Sequence, residues 1–215
     1  MKKVFIILIA LFVYSIPVLA EDFDLDKFLL DMENSEKTLE NVKFDYTQEI
    51  SFPLTGEKQI SNGQVIFAKP SNIYIKQLKP LEQIIVSDGK KVWIYTPDYN
   101  QVITDNWKKW TKNSMIPDSL LNMKQNWTEL KEKYSFAYAD SEPDSRILLL
   151  TPKKKDIWKI KFWVNSKTYI VNKLILYAEN ISVATTSYNY KINTEIDKNI
   201  FKFKPPKGAE VLKME

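Results

Sequence analysis

Between Lys43 and Trp107 turn-forming residues cut the chain into short pieces at close, regular intervals, and this punctuation constrains the fold more than any other feature. The pieces 43–52, 60–69, 72–79, 82–87, 91–96 and 101–107 are rich in β-branched and aromatic residues. Pro53-Leu54-Thr55-Gly56, Pro70-Ser71, Lys79-Pro80, Asp88-Gly89 and Pro97-Asp98 separate them. Short strands joined by tight turns pair with their sequence neighbours, so the pattern predicts an antiparallel meander forming a barrel or a sandwich. A second series follows at 134–139, 146–151, 157–164, 168–177 and 183–192. Phe201-Lys202-Phe203-Lys204 alternates cleanly before Pro205-Pro206 and reads as a last strand at a sheet edge.

The stretch Gln83–Pro97 carries the strongest hairpin signal. Two apolar arms flank Asp88-Gly89, and the glycine supplies the positive φ that such a turn requires. Both arms are apolar on both faces, so each face of this hairpin must be covered, by protein or by a ligand. The expected covers are a cavity on one face and the N-terminal helix on the other. A two-residue Asp88-Gly89 turn sets Ile84 opposite Trp93, with Val86 and Tyr95 on the same face. A three-residue turn sets Ile85 there instead, because one step of register flips every side chain. Sequence alone leaves open which face holds Trp93.

Two segments break the β pattern. Residues 22–42 read as an amphipathic helix with Leu25, Phe28, Leu29, Met32 and Leu39 on one stripe and Asp22, Asp24 and Asp26 placed to cap its start. Residues 113–133 lack alternation. Ser114–Met123 reads as a short apolar helix entered through Pro117, and a second helical piece spans Trp127–Lys133. An apolar helix inserted in a meander either plugs the core or lids an opening.

Met1-Lys2-Lys3, the apolar run to Ile16 and the small residues before Glu21 form a secretory signal peptide, cut after Ala20. The apolar run falls short of the roughly 20 residues a membrane span needs. Residues 21–215 are then a single domain outside the cytoplasm. Without cysteine, burial and sheet pairing alone must hold it together. Removing Lys2 and Lys3 from the 31 basic residues leaves 29 against 27 acids, or +2, and Arg146 is the one arginine. That balance gives no reason to expect a nucleic-acid partner.

Chemistry is scarce. The absence of histidine and cysteine removes the usual general base, the thiolate nucleophile and the common nitrogen and sulfur metal ligands, so neither a metal nor a cofactor is expected. Ser87-Asp88-Gly89-Lys90 matches S-x-x-K, but a hairpin turn cannot aim the lysine at the serine as a helix does. Aromatic and aliphatic surface is abundant, and it makes either a core or a greasy cavity.

Phe44-Asp45-Tyr46-Thr47-Gln48, Gly63–Pro70 and Val86-Ser87-Asp88-Gly89-Lys90 with Val92–Tyr95 and Gln101-Val102 resemble the periplasmic outer-membrane lipoprotein carrier family LolA, as do Leu150-Thr151-Pro152 and Phe201–Gly208. The resemblance implies a mainly β fold with helices (α+β): an incompletely closed antiparallel β-barrel, or half-barrel, whose N-terminal helix and helical lid enclose an apolar cavity. It implies a non-enzymatic monomer that shelters the acyl chains of lipoproteins. Its partners would be an inner-membrane lipoprotein-releasing ABC transporter and an outer-membrane acceptor lipoprotein. A sensing module on the same fold is the alternative. The expected acyl contacts are Ile73, Ile75, Ile84, Val86, Trp93 and Tyr95, with Leu120, Leu121 and Met123 from the lid. The family's arginine before the proline, which bonds the lid backbone, is replaced by Lys69, the residue expected to gate the lid.

Overall fold

The computed structural model describes residues 23–112, 127–154 and 158–214. The expected signal peptide and the expected lid contacts Leu120, Leu121 and Met123 lie outside them. One helix, α1 (Leu25–Lys37), precedes six strands: β1 (Asn41–Phe52), β2 (Glu57–Ala68), β3 (Asn72–Lys79), β4 (Gln83–Asp88), β5 (Lys91–Thr96) and β6 (Gln101–Asn106). Two short helices, α2 (Trp107–Lys112) and α3 (Trp127–Lys133), come next. The chain ends with β7 (Tyr134–Glu142), β8 (Ser145–Pro152), β9 (Lys159–Asn165), β10 (Val171–Ala178), β11 (Ile181–Ile192) and β12 (Glu210–Lys213).

All twelve strands form one sheet in the order β12-β6-β5-β4-β3-β2-β1-β11-β10-β9-β8-β7. Its two ends do not pair, so the sheet is open, as an incompletely closed barrel requires. Each neighbouring pair is antiparallel except β12 with β6, which is parallel. The edge strand expected at 201–204 is corrected here: Lys198–Phe201 is a 3-10 turn, and the edge strand is Glu210–Lys213. Two adjacent prolines remove the donors that a ladder at 205–206 would need.

The helices share one face of the sheet. Phe28, Leu29 and Met32 of α1 and Leu130 of α3 pack with Leu148, Leu150, Ile160, Phe162, Val164, Leu176 and Val183, forming a buried core over β8–β11. A second, smaller cluster lies over β2–β5, where Trp107 of α2 packs with Phe67, Ile73 and Val92. The expectation that α1 covers one side of the hairpin is therefore corrected. Alternation places α1 on the face that also carries Ile85 and Ile94, while the hairpin's other face meets the C-terminal segment.

α1 begins at Asp24, whose Oδ1 accepts from the Lys27 amide at 2.9 Å. It stops at Lys37, short of the predicted Val42, because its last carbonyls are taken by other parts of the chain. Lys69 Nζ donates to the Glu36 and Lys37 oxygens, both at 3.1 Å, and Asn193 Nδ2 donates to the Thr38 oxygen at 2.9 Å. Asn41 then enters β1 opposite Ala68.

In the hairpin Val86 stands opposite Trp93 and Ser87 opposite Val92, so the turn is Gly89-Lys90 and neither expected register holds. Asp88 Oδ1 accepts from the Lys90 and Lys91 amides, at 2.8 and 2.9 Å, which moves the turn one residue along. Gly89 takes φ 80. The shift from the Asp88-Gly89 register is even, so Ile84, Val86, Trp93 and Tyr95 stay on one face together.

Candidate functional site

The ladder registers on the helix-bearing face of β1–β6 build a continuous apolar row. Phe44 pairs with Val65, Val65 with Ile75, Ile75 with Ile85, Ile85 with Ile94 and Ile94 with Ile103. Strands lie about 4.8 Å apart, so six of them carry this row across about 24 Å. Each of the six side chains is half-buried, in contrast to the closed core over β8–β11.

The rows on either side differ in character. Toward α2 lie Val42, Phe67, Ile73, Ser87, Val92 and, at the β6 end, Asp105, and here Trp107 and Trp110 form a wall, stacked at a centroid distance of 5.4 Å. On the opposite side lie Tyr46, Gly63, Gln77, Gln83, Thr96 and Gln101, a row of uncharged polar groups with one glycine. The site is a trough: an apolar floor with an indole wall on one side and a polar rim along the other. Its form suits a long apolar chain attached to something polar.

Electrostatics keep the floor neutral. Burial pushes the phenols of Tyr46 and Tyr190 above their ordinary range, so both stay protonated beside it. Tyr190 packs its ring on Phe44 at 5.3 Å and donates to the Val171 oxygen at 2.7 Å. Asp45 points to the other face. There the Asn189 and Gln64 side-chain amides donate to it at 2.9 Å each and hold its carboxyl below the usual range. Among the described residues no cluster of His, Cys, Asp and Glu could hold a metal ion.

The expected contact residues divide between the two faces. Ile73 and Ile75 lie in the trough. Ile84, Val86, Trp93 and Tyr95 lie on the reverse face, where Phe203 sits 6.2 Å from Trp93 and 6.1 Å from Tyr95 (ring centroids). The 198–201 turn packs against β3 and β4 there, with Phe201 buried. Phe44, Val65, Ile85, Ile94 and Ile103 share the floor with Ile75 but do not stand out in the sequence. Hairpin register is the signal that would have found them, since the parity that gathers Trp93 with Val86 also gathers Ile85 with Ile94. Lys69 sits at the trough's α2 end, occupied with the α1 carbonyls.

Residues 37–204 match the family model described as outer membrane lipoprotein carrier protein LolA. The chain belongs to the LolA family. An outer-membrane lipoprotein carrier protein of Albidiferax ferrireducens is 26% identical over 194 residues, covering 86% of this chain and 90% of that relative. One from Legionella pneumophila (strain Corby) is 29% identical over 159 residues, with 71% and 74% covered. A solved structure of an uncharacterized conserved protein from Thermus thermophilus superposes with a TM-score of 0.55 at 12% identity, covering 86% of this chain and 99% of that one. That likeness shows the open sheet to be a fold shared well beyond close sequence relatives.

Proposed function

We propose that this LolA-family protein is a periplasmic carrier that holds the acyl chains of lipoproteins in the trough and shuttles them from the inner membrane to the outer membrane. The observation that carries this reading is the six-strand apolar row on the helix-bearing face. A single leaflet's chains reach about 15 Å, half of a hydrocarbon core of about 30 Å. The row is longer than that, so a chain can lie along it whole. Residues 21–215 would act as one carrier domain once the leader is removed. The partners would be a lipoprotein-releasing ABC transporter and an outer-membrane acceptor lipoprotein, and the carrier makes and breaks no bond.

Affinity must be restrained for such a carrier to release its load. Burying a chain is worth about 0.8 kcal/mol per CH₂, so full sequestration of several chains would be close to irreversible. A half-buried floor already shields itself in part, and the gain on loading is reduced by that amount. Leu120, Leu121 and Met123 enter this reading as lid contacts from the family resemblance alone.

The test is release of lipoproteins from inner-membrane vesicles by the purified protein. Ile75→Asp and Ile85→Asp each place a charge on the floor and should cut release about tenfold or more, while Trp93→Ala, on the reverse face, should leave it near wild type. Lys69→Arg should release as wild type does, since its role here is to bind α1. No release by the wild-type protein, or equal release by Ile85→Asp, would overturn the reading.

A further inference from the structure

The polar rim differs from an ordinary solvated strand end. Gln77, Gln83 and Gln101 stand in one row, each with its amide nitrogen already engaged. Gln77 donates to the Leu81 oxygen at 3.1 Å, Gln83 to Thr96 Oγ1 at 3.4 Å and Gln101 to Glu210 Oε2 at 3.0 Å. Among the described residues no donor reaches the three amide oxygens, and all three side chains are half-buried. Thr96 is 7% exposed and Tyr46 8%, so the row continues into the interior rather than out to solvent. The rim thus presents fixed hydrogen-bond acceptors along one side of an apolar floor, with the Glu210 carboxylate closing the row at its β12 end.

A ligand that matches this row brings N–H donors next to its acyl chains and no anionic group. Peptide and amide linkages have that chemistry. Phospholipid linkages do not, for their esters only accept and their phosphate is charged. A phosphate held against this row would lose water and meet acceptor oxygens in return.

We propose that the rim of Gln77, Gln83 and Gln101 is a selectivity subsite that accepts the amide N–H groups at the acylated N-terminus of a lipopeptide and thereby favours lipopeptide over phospholipid. This rests on the acyl-carrier reading of the trough and adds the part of the cargo that the floor cannot distinguish. Chains alone are alike in the two lipid classes, so discrimination has to come from the linkage, and the rim is the polar row nearest the floor. Two neutral hydrogen bonds suffice for a preference of roughly tenfold.

The experiment is competitive displacement of an environment-sensitive fatty-acid probe by two ligands of equal chain length. One is a synthetic lipopeptide with an amide-linked acyl chain on a diacylglyceryl cysteine, and the other is phosphatidylglycerol. Wild type should prefer the lipopeptide roughly tenfold. Gln77→Met/Gln83→Met, which keeps side-chain length, should bring the two ligands within about twofold, chiefly by weakening the lipopeptide, and retained phosphatidylglycerol binding also reports an intact trough. Gln101→Met should show a smaller shift of the same sign. Equal wild-type affinities, retained preference in the double variant or equal loss of both ligands would overturn the inference and leave the carrier reading standing. Failure of wild type to bind either ligand or the probe would overturn both.

Discussion

A methyl group added at Gly63 has nowhere to go. Its Cβ would meet the Lys76 carbonyl oxygen and approach Gln77 Cα to 2.9 Å, and both are backbone atoms of β3 that no rotamer change can move. The register between β2 and β3 also shifts here, between Asn62 and Gly63. Gly63→Ala should cost about 1–3 kcal/mol, read as a lower urea midpoint with unchanged m-value. Lys69 acts at the same scale. Lys69→Met keeps the aliphatic stem but removes the ammonium from the α1 carbonyls, so it should cost about 1 kcal/mol and speed amide exchange around residues 36–40. Asp45 gives a pH signature. Its folded pKa lies below the unfolded value, so its contribution is present above about pH 4 and fades as pH falls through the folded pKa. Asp45→Asn should flatten stability against pH below about pH 4, by a small amount because solvent still screens the carboxylate at the sheet surface.

Among the elements, the segment after β11 does the most that its sequence does not announce. It crosses the reverse face of β3–β5, buries Phe201 and lays Phe203 by Trp93 and Tyr95 before pairing β12 with β6. Phe201→Ala should cost about 3 kcal/mol and leave probe binding in the trough unchanged, because the two lie on opposite faces. The alternation of Phe201 and Phe203 imitates a strand, although what it serves is the packing of two rings on one surface. Other elements were legible because they depend on local chemistry. The turns set the antiparallel strands, Asp24 the start of α1, and the lack of alternation over 127–133 the helix α3. Where α1 stops and which hairpin residues face the trough were not legible, since both depend on distant partners. Lys69 and Asn193 close the helix from across the sheet, and Phe203, far along the chain, takes the hairpin face that holds Trp93 and Tyr95. The doubly apolar hairpin did announce two apolar surfaces: Phe203 packs on one, and the other forms part of the half-buried floor.

At the scale of the molecule, the two apolar clusters divide the work. The core over β8–β11 with α1 and α3 is closed, whereas the smaller cluster over β2–β5 borders the half-buried floor. Ligand at a hundred times its dissociation constant should stabilise the protein by about 2.7 kcal/mol. Hydrogen exchange should show added protection concentrated in β2–β6, with β8–β10 little changed. Uniform protection across both halves would mean that the clusters respond as one. The open order of the sheet, with β12 and β7 as its free ends, has a further consequence. In a closed barrel, strand number and shear together fix the radius. A sheet with two ends obeys no such closure condition, so its curvature can relax while every ladder bond stays in place. The width of the trough is then open to adjustment by bending alone, and flattening the arc would admit a bulkier ligand with no strand parted from its neighbour.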